Sequence, residues 1–409
     1  MKLLYGVLVV LLLQTVGGQP IIDDAEEKIL RNTADRVRDH GYPAEVHMVE
    51  TEDNYVIGMF RIPYSHKLQN QNEKRPAILL QHGLTSCSDA WILNGPNDAL
   101  AFLLVDAGYD VWMGNARGNT YSRNNTRLST NHPYFWRFSW HEIGVIDLAA
   151  MIDYIIDTTG EKAVHYTGHS QGTTVFFVLM SEKPEYNSKI KTAHMLAPVA
   201  FMSNMKTIWA KYTRRFIGRP NTLTRLLDTM EVMQSTFFQG LYNIICTNHP
   251  VIEFMCTNFW YIYNSQSDVG NMNATVSAQL GETHPAGASS TQVLHYMQEY
   301  ESGRFCQFDH GVAQNRKIYG RDTPPDYDVS KITANLFFYY SEADTLADVM
   351  DVEYLATKLP KVPTMTYFPG DTLAHGEFNW HIRVKELINT PIIEACNAYE
   401  ESRSVPGQS

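Results

Sequence analysis

The chain's 409 residues suffice for one large domain or two ordinary ones, and 44% apolar against 19% charged residues allows a substantial core. The formal net charge of −11 argues against nucleic acid as a partner and provides no polybasic membrane anchor. The five cysteines are too few to build a disulfide scaffold, and their odd number leaves at least one thiol free.

At the N-terminus, Lys2, the apolar run Leu3 to Leu13 and the small residues Gly17 and Gly18 predict a signal peptide over 1–18. The run is too short to span a bilayer, and no later stretch reaches 18 apolar residues. A soluble protein, secreted or delivered to the lysosome, is expected. Glycosylation sequons at Asn124 and Asn273 fit that route. In an oxidising compartment Cys246 and Cys256, ten apart, are the expected bridge, while Cys87 reads as a small buried side chain.

Residues 19–40 contain an amphipathic helix with Ile29, Leu30, Ala34 and Val37 on its apolar face, stopped by Gly41-Tyr42-Pro43. Glu45 to Glu50 and Tyr55 to Ile62 read as a hairpin around Thr51-Glu52-Asp53-Asn54. Ala77 to Leu80 is a short apolar strand of the kind found at the centre of a sheet covered on both faces, and it runs into Gln81-His82-Gly83-Leu84. A helix over Ala99 to Ala107, a strand over Tyr109 to Met113, the polar loop Gly114 to Arg123 and a helix over Glu142 to Asp157 follow. Ala163 to Thr167 is a strand, Thr173 to Met180 begins a buried helix, and Thr192 to Leu196 is a further strand. This alternation predicts a mostly parallel sheet with helices on both faces.

The rhythm breaks near Phe201 and resumes with strands at Asn335 to Tyr340 and Thr364 to Phe368, then a last helix holding Trp380 to Leu387. The expected organisation is a core over 19–200 and 326–400, an irregular Met- and aromatic-rich cap inserted at 201–325, and a flexible tail at 401–409. The cap would cover the carboxyl ends of the strands, where open α/β sheets place their sites.

Between the Ala163 strand and its helix lies Gly168-His169-Ser170-Gln171-Gly172, a G-x-S-x-G turn that exposes a serine as nucleophile when strand and helix flank it. Glycines fit so sharp a turn because they have no side chain to clash. A serine hydroxyl needs a base to take its proton, and in the α/β-hydrolase order the acid and then the histidine follow the nucleophile. Asp344, just past the Asn335 strand, is the candidate acid, with Glu342 and Asp348 as competitors; His375, past the last strand, is the candidate base. The oxyanion donors should be the backbone N–H groups of Gln171 and Leu84. His82 and His165 read as structural, and His169 as pointing away from the chemistry. No H-E-x-x-H motif is present, so neither a metal nor a cofactor is called for.

With these residues laid out, the chain resembles the acid lipase family, the gastric-type and lysosomal enzymes and their insect relatives. The likeness runs from Gly41 to Leu387. It is carried by Leu80-Gln81-His82-Gly83-Leu84, the Gly114 to Arg123 loop, Phe138-Ser139-Trp140-His141-Glu142, the serine pentapeptide, His284-Pro285-Ala286-Gly287, and Asp344 and His375 in their loops. The resemblance implies an α/β-hydrolase fold with a cap, a Ser170–Asp344–His375 triad, oxyanion donation from Leu84 and Gln171, a Cys246–Cys256 bridge, and hydrolysis of lipid esters at an interface. It makes Leu241 to Tyr263 a lid candidate, against a packing role for the same side chains. Tyr121 departs from the family's usual tryptophan, and Ser341-Glu342-Ala343 from a Gly-Gly-Lys type run. The rival readings are a cholesteryl esterase or short-chain carboxylesterase and, outside catalysis, a lipid-binding or storage scaffold.

Overall fold

Three strands with every position buried form the centre of one sheet: β3 (Ala77–Gln81), β4 (Asp110–Gly114) and β6 (Val164–His169). A computed structural model describes residues 31–233, 271–272 and 274–404. The remaining strands are β1 (Glu45–Glu50), β2 (Tyr55–Ile62), β5 (Asn124–Asn125), β7 (Ile190–Leu196), β10 (Leu336–Ser341) and β11 (Thr364–Phe368). The order is β1-β2-β4-β3-β6-β7-β10-β11, with β5 on β2. β1, β2 and β5 pair antiparallel; from β4 to β11 every pairing is parallel. This is the mostly parallel sheet expected. Register sets Gln81 beside both Gly114 and Gly168, so the loops leaving β3, β4 and β6 emerge together.

The first described helix, Thr33–Asp39, is shorter than the 19–40 expectation; it is capped by Asn32, and Ile29 and Leu30 lie outside the described residues. The helix expected over Glu142 to Asp157 starts earlier, at Trp140, behind a Ser139–Glu142 capping box, and ends at Gly160 with φ 70°. Ile143–Leu148 forms a π turn within it. A Cβ on Gly144 would lie 2.9 Å from the Val175 carbonyl, so this glycine lets the turn press against the helix Gln171–Glu182.

Two C-terminal expectations change. Helix Glu377–Trp380 stops at His381, which turns extended so that Ile382 N–H donates to the Asn271 carbonyl. The last helix opens with a π turn over Lys385–Asn389 and continues as Thr390–Ser404, so it holds Leu387 but not Trp380, and Glu401 to Ser404 are helical rather than tail. Cys396 against Thr192 and His194, and Glu400 paired with Lys191, hold that helix on β7.

Between β7 and β10 the described residues include five helices joined by irregular stretches: Ile208–Ile217, Thr222–Leu227, Ala274–Thr283, Ser290–Ser302 and Val312–Ile318. A two-stranded ribbon of β8 (Glu231–Val232) and β9 (Ala288–Ser289) joins them. Cys246, Cys256, Asn273, the lid candidate Leu241 to Tyr263 and the 1–18 leader lie outside the described residues. Asn124 is exposed on β5, and Cys87, Cys306 and Cys396 are free, buried thiols.

Arg117, in the loop after β4, ties the elements together. Its guanidinium is buried between Asp147 in the π turn (Nε to Oδ1, 2.9 Å) and Asp53 in the β1–β2 turn (Nη2 to Oδ1, 2.9 Å). It also lies 4.0 Å from the Tyr55 ring centre. Removing one partner of such a group strands the other charge in a dry site. Arg117→Met is expected to cost about 3–5 kcal/mol, read from the urea midpoint. Asp53→Asn, at the more exposed partner, should cost less.

Glu299 in the helix Ser290–Ser302 is fully buried. The groups around it are uncharged: the Tyr296 and Tyr327 phenols, the Cys306 thiol and, one turn away, the His295 imidazole, which burial holds neutral. Burial lifts the Glu299 carboxyl well above its ordinary 4.5, against a weaker pull from the Cys306 backbone. Its contribution to stability is therefore complete below pH 4.5 and is lost as pH rises through the folded-state value. Glu299→Gln should match the parent's Tm at about pH 4 and exceed it increasingly toward alkaline pH. A pH-independent difference between the two melting curves would contradict this account.

Candidate active site

β6 delivers His169, and the chain reverses at Ser170 with φ 52° and ψ −115° before entering the helix Gln171–Glu182. A serine at positive φ is strained and persists only where its surroundings leave no alternative. Here the backbone is pinned on both sides. A Cβ on Gly172 would lie 2.2 Å from the Gln81 carbonyl oxygen, and one on Gly168 would lie 2.7 Å from the Gly172 carbonyl carbon. Helix and sheet thus meet at backbone distance, and Ser170 is thrust out, half-buried, at the carboxyl edge of the sheet.

The structure brings Ser170, His375 and Asp344 into one hydrogen-bonded chain. Ser170 Oγ lies 2.7 Å from His375 Nε2, and His375 Nδ1 lies 2.8 Å from Asp344 Oδ2. Asp344 follows β10 and is 1% exposed. Its other oxygen, Oδ1, accepts from the N–H groups of Leu346 (2.8 Å) and Ala347 (2.9 Å), which suits an ionised carboxylate. With Asp344 accepting, Nδ1 of His375 is the donor and Nε2 is left to accept from serine.

The competing carboxylates are engaged elsewhere. Glu342 faces solvent and accepts from Gly370 N–H and the Tyr367 hydroxyl. Asp348 caps the helix Val349–Lys358 and pairs with Lys206 at 2.7 Å.

Leu84 lies in the loop after β3, which abuts the serine: a Cβ on Gly83 would be 3.2 Å from Ser170 Cβ. Gln171 opens the helix, where the first N–H groups have no intrahelical acceptor. Two neighbours fix the Leu84 loop. His82 Nε2 accepts from Ala116 N–H and from Asn119 Nδ2, each at 3.1 Å. From the cap, Ala286 N–H donates to the Thr85 carbonyl at 2.6 Å, and His284 Nε2 meets Ser86 Oγ at 2.8 Å.

His169 has a role that the sequence reading did not assign. Its Nε2–H donates to the main-chain carbonyl of His375 at 2.8 Å, linking the residue before the nucleophile to the loop carrying the imidazole. Burial, aided by the nearby His375, pushes its pKa down to about 3, so it stays neutral. Burial likewise depresses His82 to about 4 and His284 to about 3. His165, near the start of β6, contacts Thr192 on β7 and Glu400 in the helix Thr390–Ser404 and has no place in the site. The Tyr121 departure is accommodated: its hydroxyl donates to Asp89 at 2.7 Å, a carboxylate that also accepts from Thr33. Among the described residues no three His, Cys, Asp or Glu side chains are grouped as metal ligands.

Residues 76–375 match the family described as alpha/beta hydrolase fold, and residues 33–95 match the partial alpha/beta-hydrolase lipase region. The chain is 41% identical over 385 residues to Lipase 3 of Drosophila melanogaster, covering 94% of this chain and 95% of the relative. It is 38% identical over 370 residues to the gastric triacylglycerol lipase of Homo sapiens, covering 90% and 91%. Among solved structures, a monoglyceride lipase variant from Saccharomyces cerevisiae aligns with a TM-score of 0.56 at 15% identity, covering 87% of this chain and 96% of that one, a likeness of fold. With its sheet order and its extended identity to gastric and insect lipases, the chain belongs to the gastric-type acid lipase family of α/β hydrolases.

Proposed function

We propose that the protein is a serine lipase that cleaves the carboxylic ester bonds of lipids, with triacylglycerol-like substrates, through an acyl-enzyme on Ser170. The observation that carries the reading is the 2.7 Å contact between Ser170 Oγ and an imidazole oriented by a doubly anchored carboxylate. His375 Nε2 takes the hydroxyl proton as Oγ attacks the ester carbonyl. The negative charge that develops on the carbonyl oxygen is met by the N–H groups of Gln171 and Leu84. The tetrahedral adduct collapses, the alcohol leaves with the proton from His375, and the acyl group stays on Oγ. Water, deprotonated by the same nitrogen, then releases the fatty acid and restores the serine. Asp344 holds the imidazole tautomer and stabilises the imidazolium throughout.

The same reading takes the 1–18 leader as routing the chain into the secretory pathway, to the exterior or to the lysosome. No helix among the described residues is long and apolar enough to cross a membrane.

Ser170→Ala should lower kcat on lipid esters by on the order of 10³–10⁶ and abolish labelling by a phosphonylating reagent, located by mass spectrometry. A folded parent protein that takes no adduct at Ser170 would favour a lipid-binding scaffold. Activity should rise when a triacylglycerol passes its solubility limit; a maximum on short soluble esters with no rise on emulsions would assign a carboxylesterase instead.

His169→Phe removes the one side-chain donor on the His375 carbonyl among the described residues without touching the reacting atoms. It should reduce kcat about 10–100-fold with KM little changed, since small displacements of a catalytic group are costly. His169→Gln, which keeps a donor, should recover part of the loss. Equal kinetics for Phe and Gln variants would dismiss the hydrogen bond.

A further inference from the structure

We infer that the outer face of the cap helices Ile208–Ile217 and Thr222–Leu227 is a docking surface for an anionic lipid layer. The inference rests on the lipase reading and adds to it the place and the charge of the contact. On a globular protein, large apolar side chains scattered singly on the surface need no explanation, whereas a contiguous set does. Tyr212 (62% exposed), Phe216 (55%), Leu223 (43%) and Leu226 (71%) are concentrated on two successive helices that contact each other. Tyr212 and Phe216 are one turn apart on one helix, and Leu223 and Leu226 lie at helical spacing on the next.

Charge sets the face apart from the rest of the molecule. Residues 206–227 contain Lys206, Lys211, Arg214, Arg215, Arg219 and Arg225 and no Asp or Glu, in a chain whose net charge is −11. Three of these cations have partners: Lys206 pairs with Asp348, and Arg214 and Arg219 share Glu301. Lys211, Arg215 and Arg225 are exposed and make no ion pair among the described residues. Basic side chains interleaved with exposed aromatic and leucine side chains make the pattern of a helix that lies in a lipid–water interface. An acidic protein partner would use the cations but leave the four apolar side chains in water. A neutral lipid surface would use the apolar side chains but not the cations. The net charge, which provides no polybasic membrane anchor, averages this patch away.

The position suits the chemistry. Lys206 N–H donates to the Thr345 carbonyl at 2.8 Å, and Thr207 Oγ1 donates to the same oxygen at 3.1 Å. The start of the helix Ile208–Ile217 is thereby fastened one residue from Asp344. Ester hydrolysis releases fatty acids whose carboxylates charge the lipid surface, so the surface offered by a working lipase becomes the anionic one this face fits.

The experiment is co-sedimentation of the full protein with vesicles of phosphatidylcholine and of phosphatidylcholine doped with phosphatidylserine, at low and high salt. The parent should bind the doped vesicles more tightly, and the preference should fade in high salt. Lys211→Glu/Arg215→Glu/Arg225→Glu should weaken binding to doped vesicles at least about a hundredfold. Tyr212→Ser/Phe216→Ser should weaken binding to both vesicle types. Both variants should hydrolyse a soluble short-chain ester as the parent does and melt at the same temperature. Unaltered binding by the charge-reversed variant, or no preference of the parent for doped vesicles, overturns the docking surface. Failure of the parent to hydrolyse any ester would instead remove the lipase reading on which it rests.

Discussion

Everything at the site depends on three backbones being forced together at the carboxyl edge of the sheet. The Gln81 carbonyl lies where a Gly172 side chain would begin, and Gly168 meets the Gly172 backbone in the same way. Only glycine permits that approach, and it leaves Ser170 to absorb the reversal at positive φ, at a cost of about 1–3 kcal/mol. The strain is offset by the packing of the fully buried β3 and β6 and of the nearly fully buried helix Gln171–Glu182. A looser turn would not hold the serine hydroxyl within hydrogen-bond reach of a histidine 205 residues away.

The same close packing controls the protonation of the surroundings. His169 precedes the serine, His82 lies in the Leu84 loop that abuts it, His284 braces that loop through Ser86, and burial keeps each of them uncharged. A second imidazolium beside His375 would make it harder for His375 to accept the serine proton. Held neutral, the three act as fixed hydrogen-bonding struts, on the Leu84 loop, on the His375 loop and on the cap. Acid–base work at the serine is left to His375, whose imidazole is held by the Asp344 carboxylate.

The sequence made legible what depends on local pattern. A continuous apolar run marked β3, the alternation of short strand-like and helix-like stretches marked β6, β7 and β10, and the glycine-flanked serine followed by an aspartate and a histidine in order pointed to the residues that the fold brings together. What stayed hidden depends on contacts between distant segments. The π turn at Ile143–Leu148 answers to Gly144 lying against the Val175 carbonyl. The break at His381 answers to a main-chain bond with Asn271 in the cap. His169 was assigned no partner because its acceptor, the His375 carbonyl, is 206 residues away and is a backbone atom, which residue type cannot signal. The basic face of the cap was invisible to net charge because a sum over the chain discards where the charges sit.

These long-range contacts change what the cap is. Ala286 N–H bonds to Thr85, beside Leu84, and Thr120 N–H returns a bond to the Ala286 carbonyl. Lys206 and Thr207 bond to Thr345, beside Asp344. Asn271 bonds to Ile382 in the segment that follows His375. The inserted segment therefore reaches the Leu84 loop, the Asp344 loop and the C-terminal side of the His375 loop through main-chain carbonyls or N–H groups. A cover attached only by side-chain packing could vary freely between relatives and alter nothing but substrate choice. One bonded to the backbone beside Leu84 and Asp344 also sets where the Leu84 N–H and the Asp344 carboxylate stand, so variation in the cap reaches the surroundings of Ser170 and His375 as well as the pocket.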